Sequence, residues 1–294
     1  MIVKKAGTIL LNLALKKVGL VYRDNNNDCS FPKGHLENGE ILEQCAIRET
    51  EEETLRTNHL LINKEIYILK YTTPSGENVE CYYYISIDDG ATSKNIDLKD
   101  QETLKWTCPS DVENALSYDN LKVLWEKIKN PIISILENEG TISPAILTDL
   151  GICPTCYDKE NNNCLYGDIS DKLLFENDKF EIFLVSNPRA TGHTIVSTKK
   201  HYKNMMDIPN DLCSEIFIFS KKVMNILQNV YNAESIYICT MCDGPMNHFH
   251  IQLIPRYIFE KRGSKNFVKP RKDYIADKDK IEKIRNLIKQ EALC

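Results

Sequence analysis

Gly34-His35-Leu36-Glu37-Asn38-Gly39-Glu40, followed after seven intervening residues by Arg48-Glu49-Thr50-Glu51-Glu52-Glu53, decides the reading of the first half of the chain. A helix is expected from Ile41 to Leu55, entered through the turn Ser30-Phe31-Pro32-Lys33-Gly34. On that helix Glu49, Glu52 and Glu53 fall at i, i+3 and i+4 and share one face. Like charges so placed repel one another and weaken an isolated helix, so the grouping makes physical sense around a divalent cation. Ligands that are all oxygen favour Mg2+ or Mn2+. For Glu43 and Glu51 a solvated helix face is sufficient.

A second stretch, Asn247-His248-Phe249-His250-Ile251-Gln252-Leu253-Ile254, alternates strictly. Alternation puts His248, His250 and Gln252 on one face of a strand and Phe249, Ile251 and Leu253 on the other. Polar side chains that face an interior need partners, which an active site or a metal supplies. Upstream, Cys153-Pro154-Thr155-Cys156 has a spacing that suits one zinc ion but supplies half of a tetrahedral shell. His201, at the close of Gly192 to His201, and His248 are the best candidates for the remainder. Cys164, Cys239 and Cys242 read as buried or free thiols.

The first stretch resembles the Nudix box, with Gly34, Glu40, Arg48, Glu49, Glu52 and Glu53 in register. The resemblance implies that Glu49, Glu52 and Glu53 hold Mg2+ or Mn2+, that Glu49 and Glu52 help activate water, and that Arg48 braces the acidic cluster. Pro32-Lys33-Gly34-His35 and Trp106 are similar to the diadenosine tetraphosphate hydrolase-like branch, which implies a part for Lys33 and Arg48 in substrate binding. Three positions depart from the pattern. Leu55 stands at the closing glycine, where a glycine would allow a left-handed exit from the helix, and Thr50 and Arg56 stand at aliphatic positions.

The region from Cys153 to Tyr257 resembles the histidine-triad (HIT) superfamily. It is most similar to the branch in which glutamine replaces the third histidine, as in galactose-1-phosphate uridylyltransferases and dinucleoside-tetraphosphate phosphorylases. By that resemblance His250 is the nucleophile at an α-phosphorus and forms a nucleotidyl-histidine intermediate. Gln252 would bond a phosphate oxygen, His193 would help hold the site, and Cys153, Cys156, His201 and His248 would bind structural Zn2+. Val185 stands where many small members carry an acidic ribose ligand, and Asn187 is the expected substitute. The acceptor, water or another group, separates hydrolase from transferase; Gln252 tilts the reading toward transfer.

The expected fold is mixed α/β and α+β: a Nudix α/β/α sandwich over residues 1–135, a linker at 136–150, a HIT-like α+β domain with an antiparallel sheet at 151–260, and a charged C-terminal extension at 261–294. A length of 294 residues suits two domains. The net charge of −5 gives no bulk attraction to nucleic acid or anionic lipid, so small nucleotide substrates are the expected partners, with a homodimer through the HIT-like domain a further option. Lys4 and Lys5 precede an apolar run, but Asn12 interrupts it and Lys16 and Lys17 close it, which suits a strand hairpin better than a signal peptide or a membrane span. Eleven cysteines with one CxxC suit a reducing cytoplasm. The leading function is a bifunctional nucleotide-processing enzyme. The alternative keeps one half catalytic and makes the other a nucleotide sensor or a zinc-stabilised binding module.

Overall fold

The first strand finds its longest partner far along the chain. In the computed structural model, which describes residues 2–24, 27–93, 102–161, 165–166, 170–242, 244–273 and 277–292, the chain divides into two units, Met1–Ile152 and Cys153–Cys294. In the first unit β1 (Ile2–Asn12) turns into β2 (Lys17–Arg23), followed by β3 (Asp28–Ser30), β4 (Lys33–His35), α1 (Leu42–Thr54), β5 (Arg56–Thr72), β6 (Asn78–Thr92), β7 (Glu102–Thr107), α2 (Val112–Ala115), α3 (Asp119–Glu137) and α4 (Pro144–Asp149). β1 runs parallel to β6 from Ile2↔Asn78 to Leu11↔Ile87 and antiparallel to β2, so the sheet is mixed, in the order β3-β2-β1-β6-β5. Alternation along β6 sends its tyrosines to opposite faces. Tyr84 packs with Ala6, Cys45 and Ala46 under α1, while Tyr83 meets Phe31, which in turn meets Trp125 of α3. Helices therefore cover both faces of the sheet.

α3 runs straight through Pro131 to Glu137, beyond the end at Lys129 that its composition suggests. An interior proline costs about 3 kcal/mol through a lost hydrogen bond and a steric clash. Here the apolar stripe continues past it, with Leu121, Leu124, Trp125, Ile128, Ile132, Ile135 and Leu136 all buried, and burial of such side chains at about 1.5–3 kcal/mol each outweighs the loss.

The three departures from the Nudix pattern each have a physical account. Leu55 takes the left-handed conformation, φ 56° and ψ 21°, and its N–H donates to Glu51 O at 2.8 Å. The helix thus keeps the exit that a glycine would provide. Thr50 is fully buried, donates to Ala46 O at 2.7 Å and so accepts from Thr8 Oγ1 at 2.9 Å, while Ser86 Oγ donates to Thr8 Oγ1 at 2.9 Å. A chain of hydroxyls replaces an aliphatic contact between helix and sheet. Arg56 grips Asp88 with two bonds, at 2.9 and 3.0 Å, and Asn12 donates to the same carboxylate at 2.8 Å.

The second unit contains α5 (Pro154–Asn161), β8 (Leu173–Glu176), β9 (Phe180–Leu184), β10 (Thr194–Thr198), α6 (Asn210–Tyr231), β11 (Ser235–Cys239), β12 (His250–Arg256) and α7 (Lys278–Ala292). Its sheet is antiparallel throughout, in the order β11-β12-β10-β9-β8. α6 lays Leu212, Ile216, Val223, Ile226 and Leu227 into the core that holds Phe249, Ile251 and Leu253. Ile281, Ile284 and Ile288 of α7 join the same core, so the helix at the end of the charged segment is a packing element; its three isoleucines recur at helical spacing. Among the described residues no helix is long and apolar enough to cross a membrane.

A left-handed non-glycine residue costs roughly 1–2 kcal/mol. In urea denaturation Leu55→Gly is therefore expected to match or exceed the stability of the parent protein, whereas Leu55→Val, branched at Cβ, is expected to lose about 1 kcal/mol or more.

Candidate active sites

In the first unit Arg48 is the hub. Its Nε and Nη2 fork onto the Glu40 carboxylate at 2.8 and 2.9 Å, Nη1 reaches Glu49 Oε1 at 2.9 Å and Glu52 Oε2 at 3.3 Å, and Nη2 also donates to His35 O at 2.9 Å. A planar guanidinium can satisfy several carboxylates at fixed angles. It thereby ties α1 to the loop that carries Gly34.

Glu49 and Glu53 reach a cleft of about 360 Å³ lined also by Lys5, Arg23, Asp28, Lys33, Gly34 and His35. Their side chains are 14% and 12% exposed, against 42% for Glu52, which lies outside this lining and joins the group through Arg48. Glu53 accepts from Arg23 Nη2 at 2.7 Å and from the Lys33 backbone N–H at 3.0 Å. Burial pushes the Glu53 carboxyl up to about 7 against the pull of Lys33 and Arg23. Burial likewise raises Glu49, with Arg48 pulling the other way. Two desolvated carboxylates facing one polar cleft form a donor set of oxygen atoms suited to a hard divalent cation. Gly34 leaves the room: a Cβ there would stand 1.9 Å from Glu49 Oε2. Trp106 is half-buried on β7, opposite Gly19 of β2, and is outside the cleft lining.

Lys5, Arg23 and Asp28 were not singled out by spacing. Lys5 sits on β1 opposite His35, and Arg23 at the end of β2 gathers Ser30, Glu53 and Glu102. Only strand pairing brings them to α1.

In the second unit β12 begins at His250, and the preceding His248 turns away from the strand face toward the Cys pair. His248 Nδ1 lies 3.7 Å from Cys153 Sγ and 3.4 Å from Cys156 Sγ, and His201 Nδ1 lies 3.4 Å from Cys156 Sγ. All four ligand atoms fall within 4.8 Å of one another. A tetrahedral zinc with bonds of about 2.0–2.3 Å sets its ligand atoms roughly 3.3–3.8 Å apart, so this donor set fits that ion. His248 Nε2 donates to Thr198 O at 2.6 Å, which fixes the tautomer that leaves Nδ1 free for a metal.

His250, Gln252 and His193 form a directional series. The Arg189 backbone N–H donates to His193 Nδ1 at 3.2 Å, so His193 carries its proton on Nε2 and donates to Gln252 Oε1 at 3.1 Å. That orients the Gln252 amide, whose Nε2 donates to His250 Nε2 at 3.4 Å, while His250 Nδ1–H donates to His248 O at 2.9 Å. The network leaves Nε2 as the unprotonated nitrogen of His250. Burial lowers the His193 pKa to about 4, with Arg271 adding to the effect, and burial lowers that of His250 too. Both rings are thus held neutral. Asn187 is exposed in the loop after β9, and its backbone carbonyl accepts from Arg271 Nη1 at 3.1 Å. Cys239 pairs opposite Gln252, Cys242 bonds Thr240, and Cys164 lies outside the described residues.

A family model of the NUDIX domain matches residues 4–125, and one of the HIT domain matches residues 166–258. An uncharacterized HIT-like protein of Methanocaldococcus jannaschii is 32% identical over 98 residues, which span 31% of this chain and 73% of that protein. An 8-oxo-(d)GTP phosphatase of Mycolicibacterium smegmatis is 29% identical over 120 residues, 40% of this chain and 36% of that protein. Among solved structures, an Ap4A hydrolase of C. elegans is similar at 24% identity and a TM-score of 0.38, covering 47% of this chain and 98% of that one. The chain belongs to the HIT family and carries a NUDIX domain ahead of its HIT domain.

Two expected outcomes follow from this geometry. Gly34→Ala displaces only the far end of Glu49, so it is expected to keep the fold yet weaken Mn2+ binding by about 10- to 100-fold in calorimetry, the range typical for lost support of a metal ligand. Metal analysis of the purified protein is expected to find stoichiometric zinc, and Cys153→Ser to lose it together with about 5 °C or more of thermal midpoint.

Proposed function

We propose that this chain, in which a NUDIX domain precedes a HIT domain, is a bifunctional nucleotide-processing enzyme whose two halves act on phosphate esters of (di)nucleoside polyphosphates. The observation that carries the reading is the series Arg189 N–H, His193, Gln252 and His250, which leaves His250 neutral with an unprotonated Nε2 whose lone pair the Gln252 amide can yield to an electrophile. Attack by Nε2 on the α-phosphorus forms an N–P bond as the P–O bond to the remaining phosphates breaks, and the departing oxygen takes the electron pair. The ring proton stays on Nδ1, shared with His248 O, so charge developing on the imidazole is stabilised by a backbone dipole. Gln252, already oriented by His193, is placed to turn its amide to a phosphoryl oxygen. A second attack at phosphorus by water or another acceptor then breaks the N–P bond and restores His250. Zn2+ held by Cys153, Cys156, His201 and His248 would brace the backbone that carries His248 O.

In the NUDIX half, Glu49, Glu52 and Glu53 would hold Mg2+ or Mn2+, which when bound supplies charge neutralisation at the phosphates and a more acidic water. Arg48 keeps Glu49 and Glu52 apart and aimed. Lys5, Lys33 and Arg23 offset the charge of the phosphates in the cleft. Lys33 and Arg48 would contact the substrate in this half, and in the HIT half Asn187 would read the ribose. The diadenosine tetraphosphate class fits both halves, since one substrate offers phosphoanhydrides to each.

The test is a pair of substitutions in the full chain. With Mg2+ and diadenosine tetraphosphate, Glu52→Gln with His250→Ala is expected to lower turnover by at least about 10²- to 10⁴-fold, the usual effect of losing general-base or nucleophilic groups. The His250 parent, quenched under alkaline conditions, should carry a nucleotidyl mass adduct that His250→Ala lacks. Undiminished turnover in the double variant would end the reading. If Glu53→Gln leaves all turnover intact while nucleotide still protects the first unit from heat, the NUDIX half is a sensor.

A further inference from the structure

Asn187-Pro188-Arg189, the loop between β9 and His193, is spanned by a segment from the distant end of the chain. Arg189 Nη1 donates to Lys269 O at 2.6 Å, the Lys272 N–H donates to Pro188 O at 3.1 Å, and Arg271 Nη1 donates to Asn187 O at 3.1 Å. Three bonds thus dock residues 269–272 on the loop that feeds the His250 site. They bring Arg271 to Arg189.

The Arg189 charge adds to partial burial in lowering the Arg271 pKa, so the two guanidiniums lie close enough to repel unless an anion answers them. Among the described residues neither has a carboxylate within ion-pairing distance, although the segment could have placed one there. Arg189 is anchored by a backbone carbonyl alone, and its Nε is buried with no hydrogen-bond partner. An orphaned buried donor on a cation is costly, and in native structures such a group calls for an explanation, a catalytic role or a bound ion among them. The backbone N–H of this same Arg189 sets the tautomer of His193 at the head of the His250 series. The backbone that carries this guanidinium is therefore tied to His250 through two residues, His193 and Gln252. The Arg271 charge adds to burial in keeping His193 neutral.

We infer that Arg189 and Arg271 form a second anion subsite beside His250, built to take the phosphates that depart when His250 attacks. The inference rests on His250 being the nucleophile and narrows its substrate class: the preferred leaving group is a polyphosphate, not a neutral amine or a sugar hydroxyl. Guanidinium forks match phosphate oxygens at two points each, and an anion bridging them would use the free Nε of Arg189 and remove the mutual repulsion. As the α-phosphorus transfers to His250, charge grows on the departing phosphate oxygen, so donors fixed beside it stabilise the transition state more than the ground state.

The experiment compares two substrates of the full-length protein without added divalent cation, which silences the NUDIX half. One is diadenosine tetraphosphate; the other is an adenosine 5′-phosphoramidate, whose leaving group is ammonia. In Arg271→Gln, a change at an exposed position, and in Arg189→Gln, the ratio of kcat/KM for tetraphosphate over phosphoramidate is expected to fall by about 10- to 100-fold, the cost of one charge-assisted hydrogen bond. A ratio unchanged in both variants overturns the subsite, as does parent protein that turns over the phosphoramidate alone. Protein that turns over neither substrate ends the reading of His250 but still leaves the subsite open to test. In that case inorganic tripolyphosphate binding by calorimetry decides: an affinity that drops by about 10-fold or more in the Arg189→Gln, Arg271→Gln double variant supports the subsite, and an equal affinity overturns it.

Discussion

Both units are governed by the cost of taking charge and lone pairs out of water. In the first, Glu49 and Glu53 are buried far enough to lose hydration, and they remain as a pair only because Arg48, Arg23 and the Lys33 N–H answer them. One guanidinium, that of Arg48, reaches three carboxylates and the carbonyl of His35. Gly34 then follows as a packing requirement, since the Glu49 carboxylate occupies the space a side chain would need. Loop, helix and cleft are thus set by one set of ion pairs.

The second unit meets the same constraint with neutral rings and backbone groups. His193, Gln252 and His250 are satisfied in sequence, each donor matched to an acceptor, and the ends of the series are the Arg189 N–H and His248 O. His248 stands at the junction of two functions. Its carbonyl orients His250 while its ring faces Cys153 and Cys156. A metal at that cluster would stiffen the very peptide whose carbonyl orients His250.

Much of this was legible in local pattern. The i, i+3, i+4 carboxylates, the CxxC spacing and the alternation of Phe249, Ile251 and Leu253 against His250 and Gln252 all depend on periods of 3.6 or 2, which neighbouring residues fix by themselves. Thr50 and Arg56 were harder. Their partners, Thr8 and Asp88, are more than thirty residues away on other strands, so at sequence level both read only as departures from an aliphatic pattern. Leu55 departs from the pattern in identity alone: it takes the left-handed exit a glycine would allow, with its N–H capping Glu51 O.

The sequence by itself determined which two domains the chain carries and which residues gather at each candidate site, because short helices and strands present those residues at set intervals. It determined the mixed α/β class for the same reason, through the periods of its apolar residues. Only the tertiary structure decided how those groups are charged and aimed. Glu52 stayed outside the cleft lining while Glu53 joined it, Lys5 and Arg23 arrived by strand pairing, and Arg271 docked on the Arg189 loop from 82 positions further along the chain. Burial and long-range pairing set each group's desolvation and its hydrogen-bond partners, and neither quantity is a property of any residue together with its sequence neighbours alone.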